Sequence, residues 1–597
     1  MNNLHFFQFR QQQPIYAALG ESLANSIEST IDQQAIFLTI QLLGLKAAEG
    51  STLVELIEFA GQHYPLQWEI TGQFPDLANW CILIDTVIKK AKQPFLVRID
   101  NALMLARQAE KEQFIAQRLI EKAQYMLSSP DRQSIPPSEG SVIDWQQVAI
   151  ANSLCSHLSI IVGGPGTGKT TTVVKILQAL LLQQPGDYKV GLTAPTGKAA
   201  IRLLSSIKSQ LNALSLDAAV LPKEAKTLHR LMAWSQQHRQ FQYNEKNQLP
   251  FDCLIVDEVS MIDMALFHDL LKAVPKHCQL ILLGDPYQLP SVQAGNILAD
   301  LAQPEWQTRF SQQRYALLAP YLKNTFIKDI SNPIADSIVS LKTSYRFDPD
   351  KGIGALADAI LTVNETKLFD SFESEEVSWL TSADFDQLKT RLKARFSALS
   401  TIDDIDELFK KLNEFQLLCS HKEGDWGTKG LNRWLVDLLK ASGRLQYPLG
   451  EWVIFHGMPV ILEQNRYDLS LYNGDIGIVV EIEESLRIAF LSPEGNIRLF
   501  LPQQLMGIQP AFAITVHKSQ GCEFDQVALV LPNQATHLVT RNLFYTAVTR
   551  AKSHFCVVAD QLILNAAISN QPTRQSAVGE WLAKEPNSIL EKNSSLD

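Results

Sequence analysis

A chain of 597 residues, 46% of them hydrophobic, has room for roughly three or four packed domains, which makes it globular and multidomain. A net charge of −10 excludes a uniformly basic nucleic-acid-binding surface, so any contact with DNA has to come from a local groove. The seven cysteines are scattered, without a C-x-x-C pair or zinc-ligand spacing, and no run of about 18 apolar residues occurs, so a reduced, cytoplasmic protein without a membrane anchor is expected.

Residues 1–128 carry helical periodicity, as in YAALGESLANSIESTIDQQAIFLTIQLLGLKAAEG, and no catalytic signature. They predict a mainly helical accessory domain that serves either packing and solubility or docking to a partner chain. The polar, proline-containing stretch SSPDRQSIPPSEGS, residues 128–141, reads as a linker. A short helix follows, on which Gln146 offers an amide that can both donate to and accept from an adenine edge.

The stretch SIIVGGPGTGKTTT comes next: a short buried strand, then the spacing G-x-x-x-x-G-K-[ST] of a phosphate-binding loop, then the helical run VVKILQALLL. Its residues Gly163, Gly164, Pro165, Gly166, Thr167, Gly168, Lys169, Thr170 and Thr171 form the candidate nucleotide site. Glycines let successive backbone N–H groups turn toward a phosphate, and the following helix offers its positive end to the same anion. Lys169 is placed for the β- and γ-phosphates of ATP, and the Thr170 hydroxyl for Mg²⁺.

Three further apolar runs, YKVGLTA, FDCLIVDE and CQLILLGD, predict a parallel sheet covered on both faces. Their polar ends, Thr193, Asp257, Glu258 and Asp285, should converge along one edge of that sheet, where α/β folds bind ligands. Asp257 can hold the Mg²⁺ shell opposite Thr170, and Glu258 can take a proton from the attacking water. In GDPYQLPSV, Gln288 can touch the γ-phosphate or that water. Residues 295–342 read as a long, helix-rich insertion without an assignable role.

SYRF, residues 344–347, opens a second half. Residues 370–415 hold acidic, amphipathic helices that read as a solvated face, and an apolar strand resumes at 416–420. Residues 453–505 contain short runs between turn signals, with Asn473-Gly474 and Glu494-Gly495-Asn496 as hairpin turns, and predict a small β-rich barrel inserted in that half. AITVHKSQGCEFDQVALVLP, LFYTAVTRAK and HFCVVAD follow, before a polar tail. Glu224-Ala225-Lys226 matches the E-x-K part of a nuclease signature, but the match is a loose tripeptide in a polar loop and argues for no nuclease here.

Taken in order, GGPGTGKTTT, APTGKAA, TLHRLM, LIVDEVSMID, LLGDPYQLPSV, SYRF, YNGDIG, TVHKSQG and YTAVTRAK resemble the motif set of the superfamily 1 helicases. Within these the set is most similar to that of the RecD subunits of exodeoxyribonuclease V (RecBCD). The resemblance spans most of 145–560. It implies two RecA-like α/β domains, at 141–343 and 344–597, the second carrying an SH3-like insertion at about 453–505, with the helical domain at 1–128 in front.

It also implies an ATP- and Mg²⁺-dependent 5′→3′ DNA helicase that binds single-stranded DNA and DNA ends and works in a heterotrimer with RecB-like and RecC-like chains in double-strand break repair. Cleavage in such a complex belongs to another subunit. By position, Gln146 resembles the adenine-reading glutamine, Lys169, Thr170, Asp257, Glu258 and Gln288 the catalytic set, and Arg346 and Arg550 the arginine fingers, which would reach across the cleft from the second domain. Thr196, Lys198, Thr227, His229, Thr515, His517 and Lys518 match motifs that face DNA in this family; His229, beside an apolar Leu-Met, fits a core position equally well. A helicase working without partners, and an ATP switch that gates a protein interface, are the competing readings.

Overall fold

The computed structural model describes residues 13–583 apart from 28, 65–71, 92–94, 126–141, 184–187, 214–220, 223, 225, 236, 324–331, 443–444, 493–494, 506, 535, 537 and 572–573. The linker at 128–141, the middle residue of the E-x-K tripeptide, Glu494 of the second expected turn and the tail from 584 lie outside the described residues.

The apolar runs of the first half become the inner strands of one sheet. Leu158–Gly163, Gln279–Gly284, Cys253–Val256 and Val190–Ala194 are buried along their whole length. Alternate residues feed two separate cores: Leu158, Ile160, Val162, Leu280 and Leu254 on one face, Ile161, Ile281, Leu283 and Ile255 on the other. Burial on both faces is why these strands read as continuous apolar runs. The sheet has six strands, in the order Ile338–Leu341, Leu158–Gly163, Gln279–Gly284, Cys253–Val256, Val190–Ala194, Lys226–Thr227, all paired in parallel. Its edge strand Ile338–Leu341 comes from the end of the segment expected as a helix-rich insertion, so that segment completes the sheet.

A second parallel sheet runs Val377–Leu380, Ala551–Val558, Phe524–Val530, Phe415–Cys419, Ala513–Thr515. The two sheets are the RecA-like α/β halves that the motif order implied. Between strands of the second sheet lies a five-stranded antiparallel sheet: Ile497–Phe500, Ser485–Leu491, Ile476–Ile482, Pro459–Leu462, Ile508–Pro510. Its tight hairpin is at Glu483-Glu484, where Ile482 pairs with Ser485 and both glutamates have positive φ, 49° and 57°. Asn473-Gly474, an expected hairpin turn, lies in the longer connection between the antiparallel strands Pro459–Leu462 and Ile476–Ile482, and Gly495-Asn496 of the other expected turn lies between the paired Leu491 and Ile497. Glu-Glu is absent from the usual turn vocabulary of Asn and Gly, so the sequence hid this turn.

The N-terminal region is mainly helical in its described residues and adds a small sheet that the periodicity did not announce. Helices Pro14–Ala24, Thr30–Ala48, Leu77–Lys90 and Ala106–Gln124 are joined by a three-stranded antiparallel sheet of Leu53–Glu55, Ala102–Leu105 and Leu96–Ile99. Strands of three or four residues are too short to impose a two-residue period on a helix-rich sequence. The last described helix, Val578–Ala583, packs away from the second sheet, against Ala106–Gln124 and Ile297–Leu301. Among the described residues no helix is long and apolar enough to cross a membrane.

Candidate active site

A cleft of about 610 Å³ opens between the two parallel sheets, lined from one side by the phosphate loop and from the other by Gly521, Glu523 and Arg550. The loop leaves strand Leu158–Gly163 and enters helix Lys169–Gln183, so its backbone lies at the helix's positive end. Gly166 and Gly168 have φ of +74° and +82°. A Cβ on Gly168 would overlap the Gln146 amide, and one on Gly166 would overlap Cβ of Arg346. These two positions require glycine for close approach as well as for backbone sign.

Lys169 Nζ donates to the loop's own carbonyls, Gly163 O at 2.7 Å and Gly164 O at 3.0 Å. Gln146 sits on helix Trp145–Ser153, which Asp144 caps, and its Nε2 donates to Thr167 O at 3.0 Å. Gln146 thereby touches the loop directly. Pro165, Thr167, Thr170 and Thr171 line the cleft, whereas the Gly163 and Gly164 carbonyls serve Lys169 behind it.

Asp257 and Glu258 follow strand Cys253–Val256 and both line the cleft. Glu258 takes a left-handed backbone with φ 53°, unusual for a side chain of its size and of a kind that clusters at functional sites. Its N–H donates to Asp257 Oδ1 at 2.8 Å. Burial first, and then the neighbouring Glu258 charge, push the Asp257 carboxyl above its ordinary range. A pair of crowded carboxylates beside a loop lysine is a donor set suited to a divalent cation. Among the described residues there is no cluster of three or more His, Cys, Asp or Glu able to hold a metal by themselves.

Two strand-end residues do not behave as expected. Thr193 is fully buried and its Oγ1 donates to Lys226 O at 2.9 Å, so it ties two strands together and stays out of the cleft. Asp285 is also buried, with its Oδ2 accepting from Gln288 Nε2 at 3.2 Å and from the Tyr545 hydroxyl at 3.1 Å. Burial raises its pKa. It holds Gln288, which does line the cleft.

The two arginines are placed differently from one another. Arg550, at the end of helix Arg541–Val548, is 3% exposed and donates to Thr546 O at 3.2 Å, Cys522 O at 3.1 Å and Gln288 Oε1 at 2.8 Å. It crosses from the second half onto the Gln288 loop. Arg346 does not cross in this way: SYRF follows the first sheet's edge strand and is fastened to the phosphate loop, Tyr345 N–H to Gly166 O at 2.9 Å and Ser344 Oγ to Pro165 O at 3.2 Å. The connection after strand Ile338–Leu341 is too short to leave the loop's side. The Arg346 guanidinium instead reaches Glu523, its Nη2 donating to Oε2 at 3.0 Å and its Nη1 lying 2.9 Å from Oε1.

The Gln288 loop is clasped by the second half at more points. Leu289 N–H donates to Thr546 Oγ1 at 2.8 Å, Gln520 Nε2 to Leu289 O at 2.8 Å, and Asn542 Nδ2 to Tyr287 O at 2.9 Å. Arg202, Glu523 and Tyr545 belong to the site and were not singled out from sequence. Arg202 lies four residues after Lys198 on one helix, and Glu523 two after Gly521 of TVHKSQG, so proximity to a motif was the available signal.

The seven candidate DNA contacts fall on several surfaces. Thr196, Thr227 and Thr515 spend their hydroxyls accepting the N–H of Ala199, Arg230 and Lys518. His229 is exposed and beside Phe241, which removes its core reading. Thr515 and Lys518 line a cavity of about 470 Å³ with Lys422, Lys429, Arg433 and Trp452, and Lys518 pairs with Glu463 at 2.8 Å. Lys198 faces a different cavity of about 460 Å³, shared with Tyr472 and Arg202. His517 is half-buried, and burial, then the nearby Arg574 charge, lower its pKa.

Residues 146–294 match an AAA domain family model, and residues 510–558 match a UvrD-like helicase C-terminal domain. The RecBCD enzyme subunit RecD of Haemophilus influenzae is 35% identical over 488 residues, 75% of this chain and 73% of that protein. The subunit of the same name from Mycolicibacterium smegmatis is 32% identical over 89% of this chain and 91% of its own length. The chain belongs to the RecD family. An ATP-dependent RecD2 DNA helicase from Deinococcus radiodurans is 30% identical over 71% of this chain and 50% of that longer protein. A solved structure of Pif1 helicases at forked duplex DNA aligns over 76% of this chain and 97% of its own, at 18% identity and a TM-score of 0.39. The two family-model matches contain five of the six strands of the first parallel sheet and three of the five of the second.

Proposed function

We propose that this chain is the 5′→3′ motor subunit of a RecBCD-type helicase–nuclease, moving on single-stranded DNA from a broken end while RecB-like and RecC-like chains complete the complex. Membership of the RecD family makes it an ATP-dependent DNA helicase. One observation carries the mechanism: the phosphate loop, Asp257, Glu258, Gln288, Arg346 and Arg550 all line a single cleft between two parallel sheets. In this reading residues 141–343 and 344–597 are the two motor domains. Residues 453–505 form an SH3-like barrel in the second, and 1–128 dock the partners.

The chemistry then follows from the side chains. Lys169 exchanges the Gly163 and Gly164 carbonyls for the β- and γ-phosphates of ATP, a stronger, charge-assisted pairing. Gln146 fixes the adenine edge, and its bond to Thr167 O links base recognition to the loop. Thr170 and Asp257 would hold Mg²⁺, whose charge offsets that of the phosphates. Glu258 takes the proton of the attacking water and Gln288 orients that water. Arg346 and Arg550 stabilise the transferring phosphoryl group, a role typically worth about 10³ to 10⁵ in rate. Because Arg550 holds the Gln288 loop from the second half, that loop is the joint about which the two halves turn on hydrolysis, and alternating DNA grip gives directional stepping. The groove around Thr515, Lys518 and Trp452, where Lys422, Lys429 and Arg433 stand among Glu423, Glu451 and Glu463, offers cationic groups for phosphate and one aromatic face for a base.

Lys169→Gln tests the motor: DNA-stimulated ATPase and displacement of a strand from a 5′-tailed duplex should both vanish. ATP turnover that ignores DNA in the parent chain, or displacement from 3′-tailed duplexes alone, would overturn the reading. Tagged full-length chain should retain two larger chains on purification; recovery of active chain by itself favours a helicase that works without partners.

A further inference from the structure

Glu523 is a cleft carboxylate to which the mechanism above gives no part. It stands between Gly521 and strand Phe524–Val530, its side chain is 15% exposed, and it meets two cations at once. Arg202 Nη2 lies 2.6 Å from Oε1, and Arg346 spans both carboxylate oxygens. Burial alone would raise its pKa, yet the two guanidinium groups overcome this and hold it at about 2. Both arginines belong to the phosphate-loop side, Arg202 on helix Gly197–Ala213 and Arg346 beside Gly166, whereas Glu523 belongs to the second half. The carboxylate therefore bridges the cleft through the same guanidinium that the mechanism assigns to the terminal phosphate.

We propose that Glu523 is a positioning residue that stores Arg346 at the cleft and yields it to the terminal phosphate of ATP, while Arg202 stays paired with Glu523 throughout. The proposal rests on Arg346 being a phosphate-contacting finger. A terminal phosphate with Mg²⁺ carries more negative charge and more acceptor oxygens than a carboxylate, so it wins the bidentate fork. What makes the exchange inexpensive is the second cation. A half-buried carboxylate that lost a lone partner would be left as an uncompensated charge, which is strongly unfavourable. With Arg202 already in contact, Glu523 remains neutralised after Arg346 departs, and on phosphate release it is poised to take the guanidinium back. Glu523 then competes with nucleotide for Arg346, and Arg202 lowers the cost of losing that competition.

The sign of this competition separates it from a structural role. In the full-length chain, equilibrium binding of a fluorescent non-hydrolysable ATP analogue with Mg²⁺ should tighten by about threefold to tenfold in Glu523→Gln. The gain should disappear when Arg346→Ala is also present. Arg202→Ala should weaken binding, and adding Glu523→Gln should restore it. Binding that is unchanged or weaker in Glu523→Gln, or a gain that persists without Arg346, overturns the proposal. Failure of the finger reading looks different: Arg346→Ala would keep a parental kcat, whatever Glu523→Gln does to affinity.

Discussion

Arg550→Lys separates two jobs that the structure gives to one side chain. The guanidinium is 3% exposed and serves three acceptors, Thr546 O, Cys522 O and Gln288 Oε1. Thr546 O also accepts from Thr549 Oγ1 at 3.0 Å, so it keeps a donor in the variant. A lysine ammonium can serve one of the remaining two, which leaves one buried acceptor without its partner, a loss of about 1 to 3 kcal/mol. Arg346→Lys is the control. Its partner Glu523 can still pair with an ammonium and keeps Arg202, and the Arg346 side chain is 26% exposed, so the cost should stay within about 1 kcal/mol. Both variants lose the planar fork and should lose most single-stranded-DNA-stimulated kcat. Denaturant midpoints followed by tryptophan fluorescence, alongside ATPase at saturating DNA, give the comparison. Equal midpoints for the two variants, or a larger drop for Arg346→Lys, would refute the assignment of Arg550 as a strut of the joint.

Asp300 supplies a pH signature. It is half-buried on helix Ile297–Leu301, accepts from Ser576 Oγ at 2.7 Å, and loss of water around it, then the nearby Glu112 charge, push it up to about 7. The folded chain holds this proton more tightly than the unfolded chain does, so stability should fall as pH rises from about 4 to 7, by about 2 to 4 kcal/mol at most. Asp300→Asn mimics the protonated form and should flatten that slope, chiefly by stabilising at pH 8; urea midpoints at pH 5 and 8 check it, and an unaltered slope counts against the half-buried acid. Gly168→Ala should weaken ATP binding, because φ is +82° and the new Cβ meets the Gln146 amide. A nucleotide titration with parental affinity would contradict that contact.

The motor was legible because its strands are buried on both faces and end in polar residues, which leaves continuous apolar runs such as CLIV and QLILLG in the sequence. The phosphate loop was legible because backbone conformation dictates its glycines. Other parts left no such mark. Glu523 and Arg202 are 321 residues apart, and nothing local announces that a carboxylate will meet two guanidinium groups. Thr193 sits at a strand end like Asp257, yet its short side chain bonds to the neighbouring Lys226 carbonyl, so a shared edge did not make it a shared site. The edge strand Ile338–Leu341 is four residues long and follows two helices, so periodicity attributed it to an insertion. Arg346 was assigned to the far side of the cleft because its motif opens the second half in sequence; chain order and spatial side part company at that connection.

These placements restrict how the cleft can respond to nucleotide. On the second-half side Arg550 is already bonded to Gln288, and Thr546, Asn542 and Gln520 hold the neighbouring backbone, so that joint is formed in this arrangement. A rigid opening at the Gln288 loop would break at least four hydrogen bonds, three of them buried, whereas a turn of Arg346 from Glu523 toward phosphate exchanges one ion pair for another. The lower-cost movement is therefore a pivot about the Gln288 loop in which Arg346 changes partner and Arg550 does not. Such a pivot carries Glu523 and Gly521 past helix Gly197–Ala213, where Gly521 lies against Thr196 and Ala199. Under the proposed mechanism, changes at the phosphates would reach the TVHKSQG turn through that contact, which puts a motif proposed to face DNA one step from the arginine proposed to contact ATP.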